Sequence, residues 1–283
     1  MIGRSGHITA GRALPLLTRL VSGATLFALA MPAFAQDRDI EEIVNAADKT
    51  SRVFISTGID WSRGNYGDVE ATEIIVVPLS LRVRAADWLS LGASLAWIRI
   101  DGPGVVLGPD NEPLPGFPIA RQTRKGLGDL GASATVSLPL GDDTPWSVDL
   151  TGRVKLPTAS QSRGLTTGKT DISFGADITY LAGKWAPFVE LGIRLPGDPA
   201  GVNLRNSPSV SVGAVRVLDH GAVIASYDWQ RAFSPLAEDS HSLFAAYSRP
   251  VAKRLDLTGY GSVGLSQGAA GFEAGVLVTV KLD

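Results

Sequence analysis

Residues 126–158 read GLGDLGASATVSLPLGDDTPWSVDLTGRVKLPT. From Asp129 to Leu138 the side chains alternate: Leu130, Ala132, Ala134, Val136 and Leu138 are apolar, and Asp129, Gly131, Ser133, Thr135 and Ser137 are small or polar. Gly141-Asp142-Asp143-Thr144-Pro145 is a turn cluster. After it, Trp146, Val148, Leu150, Val154 and Leu156 alternate with Ser147, Asp149, Thr151, Arg153 and Lys155. Strand side chains point to opposite faces with period two, so each run has one apolar and one polar face. A half-buried soluble sheet gives the same alternation. The runs here are about 10 residues long and recur along the chain, which predicts an antiparallel transmembrane β-barrel with lipid outside and water inside.

The first 35 residues have the form of an export signal. Arg4, Arg12 and Arg19 form a basic leader without an acid, Leu20 to Ala30 is a short apolar core, and Ala33-Phe34-Ala35 is an A-x-A cleavage site. Cleavage would leave Gln36 first. It removes three of the 26 Lys and Arg and none of the 28 Asp and Glu, so the mature chain carries a net charge of −5. That balance does not suggest nucleic acid as a partner. The chain has no Cys, which excludes disulfides, thiol chemistry and lipid attachment through a cysteine. No stretch after the signal approaches the roughly 18 apolar residues of a membrane helix. A closed barrel is the remaining way for a chain to span a bilayer, because closure pairs every backbone group.

The segment 36–51 reads as a polar periplasmic lead-in. Its stretch Ile40-Glu41-Glu42-Ile43-Val44-Asn45-Ala46 resembles the box through which TonB-dependent transporters add a strand to an energising partner. A short amphipathic or disordered tail explains it as well. Residues 52–283 form the predicted barrel. Twelve strands are expected near 52–61, 72–84, 89–100, 129–140, 146–157, 171–181, 185–195, 207–217, 222–231, 240–248, 255–265 and 272–282. Connections near 85–88, 141–145, 182–184, 218–221 and 249–254 are short; the intervening ones are mostly longer. Short periplasmic turns, longer outer loops and an even strand count are the pattern of a bacterial outer-membrane barrel. Ten or fourteen strands are the alternatives, since 101–128 has room for a hairpin.

Two residue classes fit this layout. Trp61, Trp97 and Trp229 fall at expected outer strand ends, and Trp88, Trp146 and Trp185 at periplasmic ends, where an aromatic girdle contacts lipid headgroups. Arg82, Asp149, Arg153, Lys155, Asp177, Glu190, Arg194, Asp228, Asp256, Glu273 and Lys281 fall on the polar faces and are expected in the lumen. A lipid-facing Arg or Lys at the midplane would cost about 2–4 kcal/mol. Glu73 and Arg99 break the parity near the outer rim, where the cost is small. Arg216 breaks it within a strand, and a bulge near Gly213-Ala214 would turn it inward and leave Val215 and Val217 on lipid.

Enzymatic chemistry has little to work with. Only His220 and His241 remain after signal removal, and Ser240 and Ser242, as strand neighbours of His241, face the other way. No metal-ligand spacing and no phosphate-binding Gly loop is present, and no cofactor is expected. The charged lumen has two readings: a polar path that filters solutes, or a salt-bridge network filling a closed structural or adhesin-type barrel. Arg153, Lys155 and Arg194 would make the outer half of the lumen locally basic and draw in carboxylates or phenolates. The 101–125 loop, with Pro103, Pro109, Pro113, Pro115 and Pro118, would constrict the mouth or remain exposed.

Gly126-Leu127-Gly128-Asp129, Lys155-Leu156-Pro157-Thr158 and Gly168-Lys169-Thr170-Asp171 together resemble the outer-membrane protein family linked to the meta-pathway of phenol degradation. Ala159 stands where that family usually has Gly. The resemblance implies an outer-membrane barrel that passes small, often aromatic, compounds, and names no catalytic residue. Expected partners are outer-membrane lipid, a small-molecule solute and the barrel assembly machinery. The last strand presents Phe272, Ala274, Val276, Val278, Val280 and Leu282 to lipid, but ends on Asp283 where such barrels usually carry an aromatic residue.

Overall fold

A computed structural model describes residues 51–66, 70–103, 106–108, 113–114, 121–141, 143–199, 203–235 and 237–283. Residues 1–50, which hold the expected export signal and all but the last residue of the expected 36–51 lead-in with its box-like stretch 40–46, lie outside the described residues. Twelve strand positions follow: β1 Val53–Gly64, β2 Thr72–Ala86, β3 Leu89–Gly102, β4 in two segments (Gln122–Leu127 and Leu130–Ser137), β5 Trp146–Leu156, β6 Asp171–Tyr180, β7 Trp185–Leu195, β8 Ser207–Leu218, β9 Gly221–Gln230, β10 Ser240–Ala252, β11 Leu255–Gly264 and β12 Phe272–Leu282. Each strand pairs antiparallel with its sequence neighbours, and β1 pairs with β12 from Val53↔Leu282 to Arg63↔Phe272. The sheet therefore closes on itself, and no edge is left to be satisfied by water. Among the described residues no helix is long and apolar enough to cross a membrane.

Strand β4 starts earlier than the alternation suggested. Gln122-Thr123-Arg124-Lys125 has no apolar alternation, yet it pairs with the end of β3 from Gly102↔Gln122 to Trp97↔Leu127. Pairing resumes at Ser94↔Gly131, so β4 carries one residue more than β3 across the gap. Gly128 N donates to Ala96 O at 2.8 Å inside this bulge. A one-residue slip would reverse every side chain. The bulge absorbs it, so that Arg124 and Gly126 above it and Gly131 and Ser133 below it all face inward. The connection before β4 holds a small ribbon, Val106–Leu107 with Pro113–Leu114, separate from the barrel sheet. It adds no barrel strands, and the count stays at twelve.

The outer surface is an aliphatic belt. Leu79, Val212 and Leu243 are each more than half exposed. Aromatic residues fringe it: Trp61 lies 6.0 Å from Phe272, and Trp146 meets Tyr180 edge-on at 4.8 Å. Trp97 and Trp229 face outward near long-loop ends, and Trp88 and Trp185 are exposed at short turns. Large aliphatic side chains facing outward on every strand make this a transmembrane barrel, since water would not tolerate so large an apolar surface. Val276 sits near the middle of β12 on this belt. Its replacement by Arg is expected to cost about 2–4 kcal/mol, read as a lower unfolding midpoint in lipid, while Ser211→Gln on the inner face leaves that midpoint nearly unchanged.

Arg216 corrects the sequence reading. No bulge interrupts the β7–β8 or β8–β9 register. Arg216 therefore stays outward, and its guanidinium lies 5.1 Å from the Trp185 ring. A cation stacked on an aromatic face at the headgroup level is tolerated where a midplane charge is not. Val215, expected on lipid, is instead buried inside the barrel.

The interior is also less polar than alternation implied. Ile74 and Val76 of β2 and Ala96, Ile98 and Ile100 of β3 face inward, packed with Leu107 and Leu165 from loops folded into the long-loop end. A second apolar cluster, including Phe188, Ile224, Phe244 and Leu277, fills the short-turn side. Large side chains fit because glycines stand beside them. A Cβ on Gly213 would lie 2.6 Å from Phe188 Cζ, and one on Gly275 would lie 2.1 Å from Tyr260 Oη. Alternating large and small inward residues fill a tapering barrel.

Candidate functional site

The register sorts the inner wall of β4 to β8 into rows, spaced about 6.6 Å apart because alternate residues share a face. At the long-loop end lies the row Gly131, Lys155, Asp171. Next is a basic row, in which Ser133, Arg153, Ser173, Arg194 and Ser207 are successive partners. The third row is neutral and small: Thr135, Thr151, Gly175, Gly192 and Ser209. The fourth is acidic, with Asp149, Asp177 and Glu190 on three neighbouring strands, then Ser211 and Asp228. Carboxylates directly opposite one another repel; none of Arg153, Asp177, Glu190 and Arg194 lacks an interaction partner.

A small pocket lies against this wall and is lined by Arg153, Arg194, Asp177 and Glu190, with Gly175 and Gly192 between them. Glycine at those two positions removes side chains where the basic and acidic rows would otherwise be bridged. The inner face of β6 retains solvent contact along Ser173, Gly175, Asp177 and Thr179. The opposite wall does not: Ser242, Thr258, Ser262 and Thr279 are buried inward residues.

That opposite wall is a bonded interior. Tyr260 on β11 reaches across Gly275 on β12 and donates to Asp60 Oδ2 on β1 at 2.8 Å; the three residues are register partners. Ser262 donates to Glu273 at 3.0 Å. Lys281 Nζ lies 3.1 Å from Asp256, and Ser56 and Thr279 hydroxyls meet at 2.9 Å. Arg82 stacks 4.4 Å from the Phe54 ring centroid, and Ser226 donates to Asp228 at 3.3 Å. Of the charges singled out in the sequence, Arg82, Asp228, Glu273 and Lys281 thus face inward in the packed half. Asp149, Arg153, Asp177, Glu190 and Arg194 lie on the half that keeps solvent contact, where Asp149, Glu190 and Arg194 are themselves buried. Arg194 also donates to Gln230.

Lys155 has a different task. Its ammonium lies 2.8 Å from Asp129 and 2.6 Å from Asp171, with all three side chains nearly buried. The acids reach further. Asp129 accepts from Thr166 Oγ1 at 2.6 Å and from Ala159 N at 2.9 Å, and Asp171 accepts from Gly197 N at 2.9 Å. Leu130 N donates to Thr158 Oγ1 at 2.9 Å. The triad therefore clamps the 157–170 connection, whose Leu165, Thr166 and Thr167 are buried at the long-loop end. Gly164 O accepts from Leu107 N at 3.3 Å, which links the clamped connection to the Val106–Leu107 ribbon. These are the residues of the three short motifs. Asp129 on the bulge, Lys155 at a strand end and Asp171 at a strand start share the inward face of adjacent strands. The sequence signal was present in that parity, but their mutual contact was not read from it.

The other sequence candidates are brought to no catalytic arrangement. His241 faces outward and its Nδ1 lies 2.6 Å from Tyr227 Oη, while Ser240 and Ser242 face inward. His220 lies exposed in the β8–β9 turn. Among the described residues no cluster of His, Cys, Asp and Glu is placed to hold a metal.

No family model matches the sequence, and no curated protein does. Solved structures do. A COG4313 outer membrane channel from Pseudomonas putida F1 superposes with a TM-score of 0.63 at 12% identity, covering 82% of this chain and 96% of that one. A CymD monoaromatic hydrocarbon channel gives a TM-score of 0.44 at 12% identity over 84% of this chain and 90% of that one. At such identities the first likeness speaks for the fold, and it agrees with the register: this chain is a closed twelve-stranded β-barrel of the kind that spans outer membranes.

Proposed function

We propose that this chain is a passive channel of the bacterial outer membrane, admitting small solutes along the β4–β8 wall. The observation that carries this reading is the inner face of β6, where four successive inward residues keep contact with solvent while the facing wall is sealed. A path lined by charges and hydroxyls filters by charge and size. Solutes bearing a carboxylate or phenolate are drawn to Arg153, in line with the motif resemblance to a family associated with aromatic compounds. Planar-bilayer recording on the pure protein tests the reading. Discrete conductance supports it; repeated silence from folded protein favours a closed structural or adhesin-type barrel, for which the packed apolar clusters speak.

Charge selectivity follows from the rows. In the basic row Arg194 is buried, so Arg153 is its solvent-accessible cation. Arg153→Gln is expected to shift the reversal potential towards cations, and Asp177→Asn to shift it the other way, with the folded state kept in both. Unchanged reversal potentials in both variants would remove the two rows from the selectivity filter.

A further inference from the structure

On the outer wall at the long-loop end, Arg99 of β3 and Lys125 of β4 are direct register partners. Directly opposed residues hold their Cβ atoms about 4.5–5.5 Å apart, and like charges so placed destabilise a sheet. Both side chains face outward: their neighbours Ile98, Ile100 and Arg124 are buried inside. Arg99 is 41% exposed. Of the nearby acids, Asp101 and Glu70 are shared with Arg121, and Glu73 stands opposite Asp101 on β2. Asp101 accepts from Thr123 Oγ1 at 2.7 Å and from Arg121 at 3.0 Å, and stands 4.0 Å from Arg99. Glu70 accepts from Arg121 at 3.2 Å.

The height of this pair on the barrel matters. One step towards the belt lies the outward pair Trp97↔Leu127. Indole side chains mark the headgroup boundary. Arg99 and Lys125 therefore lie about 6.6 Å beyond it along the strands, where phosphates of the outer leaflet sit. A chain of net negative charge has placed paired cations at that level.

We propose that Arg99 and Lys125 bind a phosphate of a phosphorylated glycolipid headgroup in the outer leaflet. The guanidinium fork donates to two phosphate oxygens and the ammonium to a third, and the anion relieves the repulsion between the two cations. This rests on the reading of the chain as an outer-membrane barrel with its long loops outside.

Native mass spectrometry of the detergent-folded protein with lipid A carrying both phosphates tests the site. Wild type is expected to retain the lipid, and R99Q/K125Q to retain it about tenfold less. R216Q, which removes an outward cation at the opposite end, should leave retention unchanged. Equal retention by R99Q/K125Q, or equal retention of dephosphorylated lipid A by wild type, would overturn the proposal. Excess inorganic phosphate should fail to displace the lipid; displacement would make this a free-phosphate site and equally overturn it. If R99Q/K125Q does not fold, the single R99Q carries the test with the same expectation. Conductance recorded in phosphatidylcholine, which lacks lipid A, keeps the channel reading separable from this one.

Discussion

Gly275→Ala is expected to destabilise the barrel by about 2–6 kcal/mol, combining overpacking with a buried acceptor left without its donor. The added methyl group would lie 2.1 Å from Tyr260 Oη and 2.2 Å from Cζ. A tyrosine ring cannot bend aside as a lysine tail can, so the whole side chain must leave. Its hydroxyl then abandons Asp60, which is fully buried beside Glu273. Gly259→Ala is the control. It changes the same residue type on the partner strand β11, but a Cβ there meets nothing within 4 Å. The measurement is the temperature at which the compact gel band of unboiled protein converts to the unfolded one. Tyr260→Phe, which removes only the hydroxyl, should fall between the two, at about 1–3 kcal/mol. Equal midpoints for Gly275→Ala and Gly259→Ala would show that the Tyr260–Asp60 bond contributes nothing.

Lys155→Met is the second large effect. Two buried carboxylates now separated by an ammonium would face each other without one. Removing one member of a buried charge cluster typically costs about 3–5 kcal/mol. The loss should concentrate in the connection the triad holds, because Asp129 also anchors Thr166 and Ala159. Arg163 and Lys169 lie exposed on that connection, so trypsin should cut Lys155→Met there faster than wild type. Leu165, Thr166 and Thr167 would no longer be pinned inside the long-loop end, and single-channel conductance should rise. The triple change K155M/D129N/D171N removes all three charges together and should recover much of the stability, since the uncompensated carboxylates are gone, while leaving the connection loose. Unchanged proteolysis and unchanged conductance in Lys155→Met would show that the connection is held by its apolar contacts alone.

The sequence by itself determined the class of fold. Period-two alternation over runs of about 10 residues, interrupted at regular intervals by turn residues, is compatible with few structures other than a barrel. It also determined facing: each of the eleven charges expected in the lumen lies on an inward face, because a strand pointing Val154 and Leu156 outward must point Arg153 and Lys155 inward. Where alternation failed, the reading failed with it. A strand at the rim needs no apolar face, so alternation does not mark the start of β4 at Gln122, and strand parity does not carry the stacking that holds Arg216 outward on Trp185. The tertiary structure alone decided which inward charges meet. Asp60, Tyr260 and Glu273 are up to 200 or so residues apart in the chain and become neighbours only when β1 closes on β12. It also decided that the inward side chains of one half of the lumen are packed away and that those of the other half stay solvent-accessible. Parity assigns a side chain to a face, whereas packing depends on what stands across the barrel, and that is set by closure, by glycines such as Gly213 and Gly275 beside large rings, and by a loop clamped into the mouth through Lys155.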